Sequence, residues 1–364
     1  MEVYPLAQPK WVKLRCELCG NTAYLQCPKC KVTYYCDMEH MQADFFSIHE
    51  KICPLLIALR TRFPFFITDT ERQSYAEQMI QRKKHVIYIA HQEAQKFVSQ
   101  GKHRNALPAA LHSLRFSIDV YGLKSIELVP AYLVLAEANI GLGDLMQAQE
   151  YLAQAQWTVL KSPDCGSSIQ HKLHRNLGRL YAAEGNFQES LYHLANDIYH
   201  SSEAFGTDDL RTTGGYFQMA NVFFRLNKRD IADSLYTEVI DIWYNHLSGL
   251  AHLQLQALKE SSQILISSEI KVEGMIDDAQ KIEGIQILQA ILDIREQASA
   301  PAPAKVIKVV NTLVLLYFLS MDFQKAQQFA NKVLVIHEQF PKLVVPEILP
   351  RILEWIKPKL LSST

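Results

Sequence analysis

Between about residues 70 and 340, apolar positions fall into long amphipathic stretches rich in Ala, Leu, Gln and Glu. This is the rhythm of helices that each bury one face. The stretches recur with a period of 42 residues. Gly101, Gly143, Gly185 and Asn227 share one register, each between two helix-patterned segments. Seven positions upstream stand Ala94, Ala136, Gly178 and Ala220; five downstream stand Ala106, Ala148, Ser190 and Ala232. A fourth column, Phe97, Asn139, Tyr181 and Phe223, is aromatic in three of four places. In a helix–turn–helix unit, Gly or Asn can take the left-handed conformation that ends the first helix. The small residues lie where paired helices cross closest, and the aromatic fills the gap to the following pair. Met321, Ala326 and Ala330 fit a last repeat, with Gly284 one period before Ala326. About ten extra residues then fall within 247–275, and five or six helix pairs are expected in all.

The pattern breaks in three further places. Residues 54–80 read as a connector, in which Pro64 stops any helix. Residues 297–304, with two prolines among alanines, read as a loop between helices. Residues 346–364 suit a capping helix and tail, so the repeats are expected over 81–345. The longest apolar run, Val309 to Leu319, carries Asn311 and Thr312 and is far short of the ~20 residues of a membrane span. The first 15 residues, a short leader, show no apolar core of a signal peptide. A protein without membrane contact, in the cytoplasm, is expected.

Composition agrees with a helical array. Fourteen glycines and fourteen prolines make up about 8% of the chain against a typical ~12%, so turns are sparse. The 364 residues are 48% hydrophobic, enough to build a core. With 37 basic and 38 acidic side chains the net charge is −1, which argues against holding nucleic acid by bulk electrostatics.

Cysteine use adds a second module. Six of the seven cysteines lie between Cys16 and Cys53, a clustering that points to metal rather than disulfides. The candidate ligands are spaced Cys16-x2-Cys19, Cys27-x2-Cys30, Cys36-x3-His40 and His49-x3-Cys53. A Cys-x2-Cys knuckle presents two thiolates to one ion, and an x3 pair projects both groups from one side of a helical turn. Eight ligands make two tetrahedral Zn2+ sites, thiolate-rich and closed, as structural zinc requires. Residues 16–53 are too few to fold on a hydrophobic core alone, so metal supplies the missing stability.

Two family resemblances follow from these residues. The spacing over 16–53, together with Val32-Thr-Tyr-Tyr-Cys-Asp-Met-Glu-His40, resembles the MYND zinc finger. The resemblance implies interleaved pairs: Cys16, Cys19, Cys36 and His40 on one zinc, and Cys27, Cys30, His49 and Cys53 on the other. His40 stands where most members have Cys. Many MYND fingers bind proline-rich peptides through a Gln and a Trp at positions that are Met41 and Phe45 here. The amide donor is therefore missing, and Phe45 and Phe46 offer either an apolar shelf or a means of docking the finger on the first repeat. The 42-residue columns, with Asn176-Leu-Gly-Arg-Leu-Tyr-Ala-Ala-Glu-Gly-Asn-Phe187 as the best match, resemble the tetratricopeptide repeat in its longer, kinesin-light-chain form. Tyr121-Gly122, two periods before Phe205-Gly206, keeps the same register. The expected fold is mainly α: a two-zinc MYND finger followed by a tetratricopeptide-type helical solenoid.

Other candidates carry less chemistry. Cys165 lacks a base motif and reads as an inert thiol. His171 and His174, at i and i+3, lack a third ligand, and Arg82-Lys-Lys-His85 reads as a solvated helix face. No phosphate-binding loop, HExxH or Gly-x-Ser-x-Gly motif is present. Some lysine methyltransferases carry a MYND finger inside a SET domain, but they need a catalytic segment ahead of it and an Asn-His-Ser-Cys-type motif after it. Asn245-His246-Leu247 lacks those surroundings. The chain therefore reads as a non-enzymatic interaction scaffold, with protein partners on the solenoid face and no small-molecule substrate. The combination of finger and repeats is similar to MYND-repeat proteins of cilia and sperm flagella. That likeness implies an axonemal location, dynein-associated or tetratricopeptide partners and a part in motility. The alternative is a nuclear co-regulator scaffold that recruits proline-rich partners through the finger.

Overall fold

The computed structural model describes residues 14–61, 66–162, 165–261, 276–298, 302–344 and 346–361. Two short antiparallel strands, β1 (Leu25–Gln26) and β2 (Tyr34–Tyr35), pair Leu25 with Tyr35 and Gln26 with Tyr34. Helix α1 (Met38–Asp44) starts at Asp37, whose carboxylate accepts the His40 amide at 2.7 Å. It continues through a π-helical turn, Phe45–His49, into α2 (Glu50–Arg60). The longer helices follow: α3 (Asp69–Ser99), α4 (His103–Tyr121), α5 (Val129–Leu142), α6 (Leu145–Leu160), α7 (Ser167–Glu184) and α8 (Phe187–Phe205). After them come α9 (Leu210–Arg225), α10 (Arg229–Ser261), α11 (Asp278–Glu296), α12 (Pro303–Leu319), α13 (Phe323–Gln339) and α14 (Ile348–Leu361).

The 42-residue register is a repeated turn. Gly101, Gly143, Gly185 and Asn227 follow α3, α5, α7 and α9 with φ of +70°, +80°, +83° and +59°. Their amides donate to Val98, Ile140, Ala182 and Phe224, at 2.9 to 3.2 Å. The next amides, of Lys102, Asp144, Asn186 and Lys228, donate to Phe97, Asn139, Tyr181 and Phe223, at 2.9 to 3.0 Å. These paired bonds are the Schellman closure of a helix end. The fourth column therefore supplies a backbone acceptor whatever its side chain, which explains why Asn139 can stand among aromatics. Met321, with φ of +60°, repeats the closure between α12 and α13 through its bond to Phe318 and that of Asp322 to Tyr317. The small columns are buried at Ala94, Ala106, Ala136, Ala148, Ser190, Ala220 and Ala232. Gly122 and Gly206, also at positive φ, end α4 and α8; residue 164, midway between them, lies outside the described residues.

The chain divides into two compact units, residues 1–186 and 187–364. In the first, α3 packs on α4, α4 on α5, and α5 on α6 and α7, around Ala90, Ala94, Ala106, Leu135, Leu152 and Leu177. In the second, α9 packs on α10, and α12 on α10, α11 and α13, around Tyr236, Trp243, Leu288, Val314 and Phe318. A Cβ on Gly284 of α11 would lie 2.5 Å from the Trp243 ring of α10, so only glycine fits that approach. Helix α14 buries Ile348, Leu349, Ile352 and Ile356 and sets Trp355 edge-on to Phe318 and Phe323.

A capping box, Thr68 with Glu71, opens α3 at Asp69, so the first long helix begins ahead of residue 81. Pro64, the ten extra residues in as far as they fall on 262–275, and positions 299–301 of the proline loop lie outside the described residues. No described helix is long and apolar enough to cross a membrane.

Candidate metal centre

Two knuckles of the same build hold the first four cysteines. The Gly20 amide closes on the Cys16 carbonyl and the Lys31 amide on the Cys27 carbonyl, each at 3.0 Å. Positive φ at Gly20 and Lys31 completes the turns. The β1–β2 pairing places Cys27 and Cys36 just after the two strands. Cys36 precedes α1, so of the Cys36-x3-His40 pair only His40 is helical. His49 ends the π turn and Cys53 lies in α2.

The structure gathers Cys16, Cys19, Cys36 and His40 into one group and Cys27, Cys30, His49 and Cys53 into another, with the donor atoms of each within 4.8 Å of one another. Cys19 Sγ is 3.6 Å from Cys36 Sγ. His40 Nδ1 is 3.5 Å from Cys16 Sγ and 3.0 Å from Cys36 Sγ. In the second group His49 Nε2 is 3.3 Å from Cys27 Sγ and 3.7 Å from Cys30 Sγ. Ligands at ~2.3 Å around a tetrahedral ion stand ~3.8 Å apart, so both groups fit Zn2+ closely. Three sulfurs and one imidazole in each complete a four-coordinate structural site. The two groups differ in setting. All four residues of the second are buried, whereas Cys19 is exposed and Cys36 and His40 are partly exposed.

Thiol acidities carry the same message. Burial raises Cys16, but the amides of Cys19, Cys36 and Leu18 and the Cys19 thiol outweigh it and bring it down to about 7. Desolvation, Asp37 and the neighbouring thiols push Cys36 up. In the second group burial opposes Cys30 ionisation, yet Thr33, the Val32 amide, Cys27 and Cys53 draw it down. Burial and the Cys30 and Cys27 charges hold Cys53 at about 12. In each group one thiol ionises at its neighbour's expense, because packed like charges repel. A divalent cation removes that conflict and lets all the thiols of a group ionise.

Around the second group lies a set of buried polar contacts that the spacing did not indicate. Asp44, fully buried, accepts the Tyr35 hydroxyl at 2.6 Å and His112 Nε2 at 2.9 Å. The oxygen that accepts Tyr35, Oδ2, is also 3.5 Å from His49 Nδ1, and His112 holds Oδ1. Burial opposes its charge, but His112, Tyr35 and His49 overcome that and hold its carboxyl below the usual range. Glu17 takes a two-pronged contact from Arg60, at 2.7 and 3.0 Å, and lies 3.6 Å from His112 Nδ1. Arg115 donates to the Glu17 backbone carbonyl. His112 and Arg115 belong to α4, so these contacts join the finger to the first helix pair. Asp44 and His49 are five apart in sequence, and it is the π turn, which places i and i+5 on one face, that brings them together.

Docking of the finger does not use the adjacent phenylalanines. Phe46 is 73% exposed, and Phe45 lies under the Lys29 ammonium at 5.2 Å. Ile48, Ile52 and Leu56 instead enter the core formed by Val86, Ala90 and Ala94. Ser47 completes the joint: its hydroxyl donates to the Asn105 carbonyl at 2.6 Å and accepts the Ala109 amide at 3.1 Å. It thereby bridges one step of the α4 ladder beside Pro108. Met41 packs against the cysteine core.

The remaining candidates stand apart. Cys165 is partly buried, which raises its thiol. Among the described residues, no third ligand joins His171 and His174. His246 lies within α10. Arg82, Lys84 and His85 are exposed on α3, and Lys83 pairs with Asp119 at 2.5 Å.

Solved structures similar to this chain include two built of related repeats. One is BtubC (BKLC) of P. vanneervenii, at 16% identity and TM-score 0.32, covering 71% of this chain and 94% of that one. The other is a kinesin-light-chain-like protein of P. anserina with nearly identical TPR-like repeats, at 14% identity and TM-score 0.35, covering 71% and 98%. The sequence profile of the MYND finger family matches residues 16–53, the span that holds all eight gathered ligands. Residues 16–53 are a MYND zinc finger.

Proposed function

We propose that the protein is a non-enzymatic adaptor that brings protein partners together, and that it works in the axoneme of cilia and sperm flagella in support of dynein-linked assembly and motility. The observation that carries the adaptor reading is the finger itself. Each ligand group supplies four protein donors, which fills a tetrahedral zinc and leaves no position for a reacting water. The metal therefore shapes a surface. Paired helices behind the finger present extended faces of the kind that bind peptides and partner helices. The axonemal part rests on the likeness of the finger-plus-repeat arrangement to flagellar MYND-repeat proteins. Proline-peptide recruitment in the nucleus is disfavoured by Met41 and Phe45, which replace the amide donor and the indole such binding uses.

The test is a tagged full-length chain expressed in ciliated cells, followed by localisation and affinity purification. Axonemal signal with dynein-associated proteins enriched over a Cys27→Ser control supports the proposal. An exclusively nuclear signal, or methyl transfer to a protein substrate, overturns it.

A further inference from the structure

We infer that Asp44 is a positioning residue for the buried zinc site, and that through His112 it couples occupancy of that site to the docking of the finger on α4. The sites are unequal. Donors of the Cys27, Cys30, His49 and Cys53 group are all buried, while the Cys16, Cys19, Cys36 and His40 group opens to solvent at Cys19. Asp44 serves only the buried group. One oxygen faces His49 Nδ1 at 3.5 Å, which leaves Nε2 aimed at Cys27 and Cys30. The other holds His112 Nε2 at 2.9 Å.

A carboxylate behind a metal-bound imidazole fixes its tautomer and ring orientation. Here the same carboxylate is also the polar joint to the first helix pair. His112 Nδ1 faces Glu17, which Arg60 of α2 grips from the finger side. Ser47, two residues before His49, occupies the adjacent step of α4 at Asn105 and Ala109. Zinc at the buried site sets the His49 ring, and the ring sets Asp44. Loss of that zinc frees the ring, removes one partner of a buried charge and loosens α4. The exposed site meets α4 by a different route, through the Arg115 bonds to the Glu17 and Leu18 carbonyls of its first knuckle; its zinc, open to solvent at Cys19, exchanges first and leaves the Ser47 step of α4 in place.

The experiment uses the full zinc-loaded chain, a chelator, and hydrogen exchange at α4 read in parallel with zinc release. Wild type releases zinc in two phases, and a Cys16→Ser, Cys19→Ser double variant keeps only the slow one. Asp44→Ala speeds the slow phase by roughly 10–100-fold, the usual scale for outer partners of a metal ligand, and leaves the fast phase unchanged. Asp44→Asn, which keeps an acceptor, gives an intermediate rate. His112→Gln, which touches no zinc ligand, speeds the slow phase in the same direction, so the result does not depend on an Asp44 variant that folds. Protection at the Ala109 amide survives the fast phase and is lost with the slow one. A slow phase indifferent to both Asp44 and His112, or protection at Ala109 that persists after both zincs have left, overturns the inference.

Discussion

Opposite substitutions at two corresponding turns test the account of the repeat. Gly143 closes α5 at φ +80°, and nothing lies within 4 Å of a Cβ placed there. Gly143→Ala therefore introduces no clash, and only backbone strain remains. A left-handed L-residue costs about 1–2 kcal/mol; the stiffer unfolded chain returns about 0.4–1 kcal/mol. The expected net loss is about 1 kcal/mol. Met321 holds the equivalent turn at φ +60° with a side chain 55% exposed, so Met321→Gly removes similar strain and little packing. It should stabilise by up to about 1 kcal/mol, although glycine elsewhere in a helical protein weakens it. Because the turns lie in different units, each variant should move mainly its own transition, by about 2–4 °C per kcal/mol. Circular dichroism during thermal and urea unfolding reads both. A neutral Gly143→Ala, or a Met321→Gly that destabilises, would refute the shared-turn reasoning.

Three further outcomes are expected. Gly284→Ala drives a methyl into the Trp243 ring, which its bond to Thr213 at 3.2 Å holds in place, and should cost about 1–3 kcal/mol as overpacking; a silent variant in urea unfolding contradicts the close α10–α11 approach. Arg60→Ala leaves Glu17 with one fewer cation in a largely buried place. Because Arg60 is itself partly exposed, the loss should be about 2 kcal/mol, below the 3–5 kcal/mol of a fully buried pair. His91, lowered from 6.5 to about 4 by burial and by Lys172, is neutral in the folded chain. Its contribution is complete above pH 6.5 and fades as pH falls towards 4, by at most roughly 3 kcal/mol. His91→Gln should therefore gain on wild type by up to about 2 kcal/mol between pH 7 and pH 5. A pH-independent difference in unfolding free energy would rule out that role.

The repeat was legible because each copy solves the same local problem. A left-handed closure must follow each first helix, and small residues must stand at each crossing, so Gly101, Gly143, Gly185 and Ala94, Ala136, Ala220 recur on schedule. The ligands were legible because a knuckle requires Cys at fixed local spacing. The joint between finger and repeats was not. Asp44, His112, Glu17 and Arg60 are single residues separated by up to 95 positions, with no period to betray them. The π turn that swings His49 onto the Asp44 side carries no composition signal of its own. Phe45 and Phe46 offered either an apolar shelf or a docking face, and the helix turns Ile48, Ile52 and Leu56 inward instead, leaving Phe46 exposed. The face a side chain takes depends on helix register, which the π turn shifts.

Everything above turns on two zinc ions held by interleaved ligand pairs within residues 16–53. Native mass spectrometry of the full chain and of single Cys→Ser variants tests that arrangement most directly. Two zinc per wild-type chain are expected, with one lost in Cys19→Ser or Cys36→Ser while the buried site stays filled, and the other lost in Cys30→Ser. A cobalt-loaded Cys19→Ser chain should then lose its remaining thiolate absorption on Cys53→Ser but not on Cys36→Ser. One zinc per wild-type chain, or a Cys36→Ser change that empties the site still held by Cys30, would contradict it.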